Sequence, residues 1–267
     1  MLRKSVVAGQ FYPAREEQIK KIIASFCPES PAKVSAKGII LPHAGYIYSG
    51  EVAAVTVSKV SSRKRLVMLW PNHTGSGENF SLWAKGAWAI PSGQIVIDEE
   101  LAEKILGSGN CISADFLAHI EEHSLEVELP ILRYFFGEFS FVPIACMQAD
   151  LAKYREVASQ LYNAVKNINE DVFFVASTDL THYEPDATVR KKDRDIIEAI
   201  IDLDEEELVR KVRAKNITMC GEAPVAIFIA CLKKLGAHKA QVALYKTSGD
   251  KSGDYSSVVG YVGMIVK

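Results

Sequence analysis

Three histidines of this chain each follow a short apolar run that is typical of a buried strand. They are His43, His73 and His182, and the runs before them cover residues 39–41, 66–70 and 172–176. Open α/β sheets bind their ligands beyond the carboxyl ends of their strands, so the three imidazoles are expected to share one polar site at one sheet edge. Imidazole is the commonest protein metal ligand, although a lone histidine is more often a satisfied structural group.

Two further residues have types that suit chemistry beside these histidines. Asp179 lies three residues before His182, where its carboxylate either orients the imidazole as a base or caps the turn after the strand. Cys220 lies directly before a predicted helix, where the helix dipole favours the thiolate form. A buried, unreactive cysteine is the alternative interpretation of Cys220.

A short motif suggests a different chemistry. The segment from His119 to His123 reads H-I-E-E-H, which matches the H-x-x-E-H pattern of one class of zinc hydrolases. That class needs one continuous helix through both histidines, and here Ser124 is placed to begin a new helix. We therefore expect His123 to donate a hydrogen bond in the pocket, and we keep zinc hydrolysis as a third hypothesis.

Composition excludes several classes of function. The chain has 267 residues, is 48% hydrophobic and carries a formal net charge of −2, which gives no electrostatic footprint for nucleic acid or an anionic membrane. No apolar run reaches the roughly 20 residues of a membrane span, and the N-terminus has no apolar core of a signal peptide. Five cysteines without a C-x-x-C pair indicate a reduced, cytoplasmic protein. Nucleotide-binding and serine-hydrolase motifs are absent from the sequence.

Hydrophobic periodicity alternates between strand and helix along the whole chain. We predict one domain over residues 1–267, a three-layer α/β/α sandwich around a central mixed sheet. The predicted helices cover residues 14–26, 51–60, 99–106, 124–136, 151–168, 186–201, 205–213 and 223–235. The predicted strands are the three runs before the histidines, together with 139–146, 240–246, 258–266 and a hairpin within 80–97.

Several motifs, in this order along the chain, resemble the Memo protein family. They are AGQFYP, LPHAGYIYSG, PNHTG, EEHSLEVELP, STDLTHYE and MCGEAP, and they cover nearly the whole chain. The resemblance implies the fold of the class III extradiol dioxygenases, which are non-haem iron enzymes. It also implies a metal site for iron or copper, and a possible functional link to a radical-SAM protein.

The resemblance also assigns roles to individual residues. It implies that His43 and His73 are imidazole ligands and that Cys220 is a thiolate ligand. His182 resembles the acid/base position of the dioxygenases, with Asp179 beside it. Glu222 is the second-ranked alternative to Cys220, because it would supply a carboxylate as the third ligand. Because a cysteine replaces the carboxylate ligand of the dioxygenases, the site is softer and also suits copper or zinc.

Two main hypotheses for function follow from these residues. The first is a non-haem oxidoreductase with one iron or copper ion, zinc being possible, bound by two histidines and one cysteine. The alternative is a non-catalytic protein that captures metal or binds a small molecule, peptide or phosphopeptide in the same pocket. In that alternative Tyr46 and His123 line the pocket beside the metal ligands.

Overall fold

The computed structural model describes residues 1–27, 31–168 and 172–267, which form one mixed sheet with helices on both faces. The strands are β1 (Leu2–Arg3), β2 (Gly38–Leu41), β3 (Arg65–Pro71), β4 (Phe80–Leu82), β5 (Ala87–Ile90), β6 (Gly93–Ile97), β7 (Ser113–Ala114), β8 (Ser140–Cys146), β9 (Val172–Ser177), β10 (His182–Glu184), β11 (Ala240–Thr247) and β12 (Val258–Val266). The α-helices are α1 (Glu16–Phe26), α2 (Glu51–Ser58), α3 (Glu99–Gly107), α4 (Leu117–Ile120), α5 (Ser124–Phe136), α6 (Leu151–Val165), α7 (Asp186–Ile201), α8 (Glu205–Ala214), α9 (Glu222–Lys234) and α10 (Gly249–Ser252). A single π-helical turn covers Tyr46–Gly50 before α2.

The centre of the sheet is parallel and its margins are antiparallel. Strands β6, β8, β3, β9 and β2 run side by side in the same direction. Beyond β2 the sheet continues with β12 and β11, and each of these strands is antiparallel to its neighbour. On the other side, β5 is antiparallel to β6 and forms with it the hairpin predicted around residues 91–93.

Alternating side chains of the central strands pack into two separate hydrophobic cores, one on each face of the sheet. In β2, Ile40 packs on one face, whereas Ile39 and Leu41 pack on the other. Helices α3 and α6–α9 cover the face of Ile40, and helices α1, α2 and α5 cover the opposite face. Such two-sided burial explains the continuous apolar runs of these strands. The predicted three-layer α/β/α sandwich with a mixed sheet is therefore confirmed.

The three strands that precede the histidines are adjacent in this sheet. Strand β9 lies between β3 and β2, and all three are parallel. Their carboxyl ends consequently open at the same edge, where Leu41 of β2 lies in register with Ser177 of β9. The predicted convergence of these strand ends is confirmed.

Most predicted helix boundaries agree with the structure, and the differences are local. Asp98 caps α3 by accepting a hydrogen bond from the Leu101 backbone N–H, and Asp150 caps α6 in the same way. Helix α6 ends at Val165, earlier than the predicted end at residue 168. Pro130 lies inside α5 without ending it. None of the helices in the described ranges has the length and apolar character needed to cross a bilayer.

Candidate metal centre

His43 lies directly beyond β2 and is held by two groups from the end of β9. Its backbone N–H donates to Asp179 Oδ1 at 2.9 Å, and its Nδ1 lies 2.7 Å from the Ser177 hydroxyl. The side chain is buried, and burial lowers the pKa of His43 well below its usual range, with further lowering by His73 and His123. The imidazole is therefore neutral near pH 7, which is the form that binds a metal ion.

His73 lies beyond β3 and is held by one buried carboxylate. Glu122 accepts hydrogen bonds from the His73 backbone N–H at 2.7 Å and from His73 Nδ1 at 2.9 Å. The Ser124 hydroxyl donates to the same carboxylate at 2.6 Å. Burial alone would raise the pKa of Glu122, but the bonds from His73 and Ser124 outweigh it and hold the pKa at about 2. The Glu122 carboxylate is therefore ionised throughout the neutral range.

His123 completes a group of three imidazoles. It lies directly before α5, and its ring stacks on that of His73 with centroids 4.9 Å apart. Its ring centroid is 5.7 Å from that of His43. One ring nitrogen from each of His43, His73 and His123 lies within 4.8 Å of the others. This arrangement extends the hydrogen-bonding role expected for His123, because it is also placed to be a ligand.

The donor set fits a metal ion. Metal–nitrogen bonds of about 2.0–2.1 Å place two ligand nitrogens at most about 4.2 Å apart, so small side-chain movements would bring the three imidazoles onto one ion. The Nδ1 atoms of His43 and His73 are already bonded to Ser177 and Glu122, which leaves their Nε2 atoms for a metal. This arrangement of outer hydrogen bonds is the usual one for ligating histidines. The side chains of His73 and His123 are 34% and 27% exposed, so the group opens to solvent on their side.

Cys220 lies beside His43 but outside the group of three imidazoles whose ring nitrogens are mutually close. Its Sγ is 3.4 Å from His43 Nε2, and the Asp179 backbone N–H donates to it at 3.2 Å. Burial raises the pKa of the Cys220 thiol, and the Asp179 carboxylate raises it further. Helix α9 begins only at Glu222, so the expected stabilisation of a thiolate by the helix N-terminus is outweighed. The distance to His43 nevertheless suits two donors on one ion, which would itself favour the thiolate.

Asp179 and His182 are held by different partners. Burial raises the pKa of Asp179 to about 6, although the backbone N–H of His43 opposes this shift. His182 Nδ1 lies 2.8 Å from the Thr218 carbonyl, and its backbone N–H donates to the Thr218 hydroxyl at 2.7 Å. A carbonyl oxygen only accepts, so Nδ1 carries a proton, and in the neutral ring Nε2 is the acceptor. Thr218, rather than Asp179, therefore orients the His182 ring.

The two other residues expected at the pocket lie behind it. Tyr46 is buried in the core against Tyr12, with ring centroids 5.7 Å apart, and its hydroxyl has no hydrogen-bond partner in the described part of the chain. Glu222 is buried, and its carboxylate accepts hydrogen bonds from Tyr154 at 3.0 Å and Arg213 at 2.6 Å. Glu222 does not belong to the group of donors around His43. The predicted pocket role of Tyr46 and the alternative ligand role of Glu222 thus gain no support.

The H-x-x-E-H segment does not form one helix. His119 belongs to α4, whereas His123 precedes α5, and the chain between them leaves the helical conformation. The His119 ring packs between tryptophans, 4.9 Å from Trp70 and 6.0 Å from Trp88, and its Nε2 lies 2.9 Å from the Ser81 hydroxyl. His119 is therefore a core residue, and the zinc-hydrolase hypothesis loses its structural basis.

Sequence reasoning missed the groups that hold the histidines of the site, namely Glu122, Ser177 and Thr218. Glu122 is the second glutamate of the EEHS motif, so its proximity to His123 was visible, but its bond to His73 joins residues 49 positions apart. Ser177 and His43 are 134 positions apart. Only the order of strands in the sheet brings such pairs together.

Comparison with known proteins supplies the family. The model of the Memo-like protein family matches residues 3–265. The chain belongs to the Memo family. A MEMO1 family protein of Methanopyrus kandleri is 40% identical over 282 residues, which cover 100% of this chain and 99% of the relative. A MEMO1 family protein of Aquifex aeolicus is 42% identical over 266 residues, with 99% and 98% coverage.

A solved structure shares the fold at low sequence identity. It is an uncharacterized protein from Escherichia coli K12, with a TM-score of 0.52 and 11% identity to this Memo-family chain. The match covers 85% of this chain and 98% of the other. At that identity the likeness concerns the fold alone.

Proposed function

We propose that this protein binds one redox-active metal ion, iron or copper, and acts as a non-haem oxidoreductase. The observation that carries the proposal is the group of His43, His73 and His123, whose ring nitrogens lie within 4.8 Å of one another. Three imidazoles on rigid strand and helix ends form a typical catalytic metal site, because other coordination positions stay available. The free state of all five cysteines is compatible with a cytoplasmic location.

Cys220 is proposed as an additional ligand beside the imidazoles. Its Sγ lies 3.4 Å from His43 Nε2, which is a normal separation for two donors on one ion. A thiolate makes the site softer than the carboxylate-containing sites of extradiol dioxygenases, so copper, iron and zinc all suit it. When bound, the metal would supply one-electron chemistry and polarise a ligand that enters from the side of His73 and His123.

His182 is proposed as the general base of this site, with Asp179 as a nearby carboxylate. The His182 Nδ1–H is fixed on the Thr218 carbonyl, so its Nε2 accepts a proton without a change of tautomer. Asp179 Oδ2 lies 4.0 Å from His43 Nε2 while Oδ1 accepts from the His43 backbone, so Asp179 fixes the position of His43. Asp179 therefore acts on the metal side of the site and His182 on the substrate side.

Metal quantification on purified variants tests the binding site. After anaerobic reconstitution with Fe(II) or Cu(I), the wild-type protein is expected to hold one ion per chain, and His43→Ala is expected to hold none. Cys220→Ser should bind iron or copper more weakly, because a hydroxyl is a poorer ligand than a thiolate. The exposed His238→Ala is the matched control and should bind like wild type. Full metal occupancy in His43→Ala would contradict the proposed site.

Oxygen consumption separates an oxidoreductase from a protein that only binds metal or a ligand. The metal-loaded protein is expected to consume oxygen with an oxidisable small-molecule substrate, and His182→Gln should lower that rate by about 100-fold or more while the metal stays bound. Metal binding without consumption across a substrate panel, or equal consumption in His182→Gln, would favour the binding protein instead. The exposed side chain of Tyr183, next to His182, would then be a candidate contact for that ligand.

A further inference from the structure

Two glutamates on one segment support the strand-end histidines His73 and His43, one by a direct hydrogen bond and the other through a third residue. Glu122 bonds directly to His73. Glu128, six residues later in α5, reaches His43 only through the Ser177 hydroxyl. We propose that Glu128 positions His43 for metal binding through Ser177, an inference that rests on the proposed metal site.

The connection is continuous and buried. His43 Nδ1 lies 2.7 Å from Ser177 Oγ, and Ser177 Oγ lies 2.5 Å from Glu128 Oε1. Ser177 and Glu128 are both fully buried, and His43 is 2% exposed, so water does not compete for these bonds. Hydrogen bonds in such a low-dielectric setting are strong and order their members. The ring of His43 is therefore fixed before any metal arrives.

The direction of the hydrogen bonds follows from the chemistry of the three groups. A serine hydroxyl donates one bond and accepts others, so Ser177 can donate to Glu128 while it accepts from His43 Nδ1–H. With the proton on Nδ1, the Nε2 atom of His43 keeps its lone pair. That lone pair faces the other donors, because Nε2 lies 3.4 Å from Cys220 Sγ. The hydrogen bonds that run from Glu128 through Ser177 to His43, here called the relay, thus select the one tautomer of His43 that can bind the ion.

Glu128 differs from Glu122 in its second oxygen. Glu128 Oε2 is buried and has no hydrogen-bond partner among the described residues. An ionised carboxylate with an unpaired oxygen in a core is far more costly than a neutral acid, so we take Glu128 as the neutral acid with Oε1 accepting from Ser177. Burial raises the pKa of Glu128 well above its usual value, in agreement with this geometry. A glutamine, which also presents one neutral acceptor oxygen, should therefore replace Glu128 in the relay.

The test uses Co(II) as a probe, with affinity measured by chelator competition and site geometry by the visible d–d spectrum. Ser177→Ala and Glu128→Met are each expected to weaken Co(II) binding by about 10–100-fold and to alter the spectrum. The double variant should bind Co(II) as tightly as whichever single variant binds it less tightly, because both changes break the same relay. Glu128→Gln should stay within about threefold of wild type by the acceptor argument. Ser58→Ala, which removes a buried hydroxyl that donates to the carbonyl of Val55 in α2, is the matched control.

Each possible result either supports or overturns the proposed relay. Wild-type affinity and spectrum in Ser177→Ala would overturn the relay while leaving the metal site intact. Additive losses in the double variant would show two independent effects and would also overturn it. If Glu128→Met does not fold, Ser177→Ala and Glu128→Gln still test the relay. Weak Co(II) binding by Glu128→Gln would contradict the claim that Glu128 acts as a neutral acceptor. Absence of Co(II) binding by the wild-type protein would instead overturn the proposed metal site, and the relay with it.

Discussion

His119 should make the stability of this protein depend on pH. The imidazole is buried between tryptophans, and burial lowers its pKa from 6.5 to about 3. Between these values the unfolded chain binds a proton that the folded chain does not, so the free energy of unfolding falls as the pH falls below 6.5. Each pH unit is worth about 1.4 kcal/mol, so at pH 5 the loss attributable to His119 reaches about 2 kcal/mol.

The assay compares the wild-type protein with His119→Gln by urea unfolding from pH 7.5 to pH 5. Glutamine keeps a polar partner for the Ser81 hydroxyl but does not titrate. Fluorescence of Trp70, Trp83 and Trp88 reports the transition at the site of the change. The variant should lose about 2 kcal/mol less than wild type over this range. Equal slopes for the two proteins would refute the burial of a neutral imidazole at this position.

Three further substitutions test the support of the metal site and the core. Glu122→Gln should weaken metal binding by about 10–100-fold, measured by chelator competition, because an amide cannot accept all the bonds from His73. Gly221→Ala should lower the free energy of unfolding by about 1–3 kcal/mol in urea, since a Cβ there would lie 2.3 Å from Thr178 Cβ. Arg3→Met should cost about 3–5 kcal/mol in the same assay, because it removes the cation paired with the buried Glu126 carboxylate, whose other donors, the Val6 and Val7 backbone N–H groups and the Tyr12 hydroxyl, are neutral.

Each of these substitutions has a matched control. Glu121→Gln, at an exposed neighbour of Glu122, should bind metal like wild type. Gly107→Ala, where a new Cβ meets nothing within 4 Å, should leave the stability unchanged or raise it slightly. Lys4→Met replaces an exposed side chain next to Arg3 and should be nearly neutral. A test substitution that behaves like its control would contradict the contact on which it is based.

Local patterns in the sequence were sufficient for the elements and for the edge of the sheet that carries the site. Apolar runs of two-sided strands are short-range signals, and the structure confirms the strands that they predict. The convergence of His43 and His73 followed from a general rule about strand ends rather than from any knowledge of strand order. That rule needed only the predicted alternation of strands and helices in an α/β sheet.

The hydrogen bonds that position the histidines of the site could not be predicted from the sequence, because they join residues that are far apart along the chain. Ser177 reaches His43 only because β9 and β2 are neighbours, and Glu122 reaches His73 only because α5 begins beside β3. The dipole argument for a Cys220 thiolate used only the local helix start, whereas burial by other segments raises the pKa of this thiol. Local patterns predict helices and strands, whereas charge states depend on the assembled environment.

The central claim is that His43, His73 and His123 share one metal ion with Cys220 beside them. Anomalous diffraction at the iron and copper absorption edges, on crystals of freshly purified protein, tests it most directly. The account predicts a single anomalous peak within about 2.5 Å of the three imidazole nitrogens and the Cys220 sulfur. A peak at a different place in the protein, or no metal between His43 and His73 after reconstitution, would contradict it.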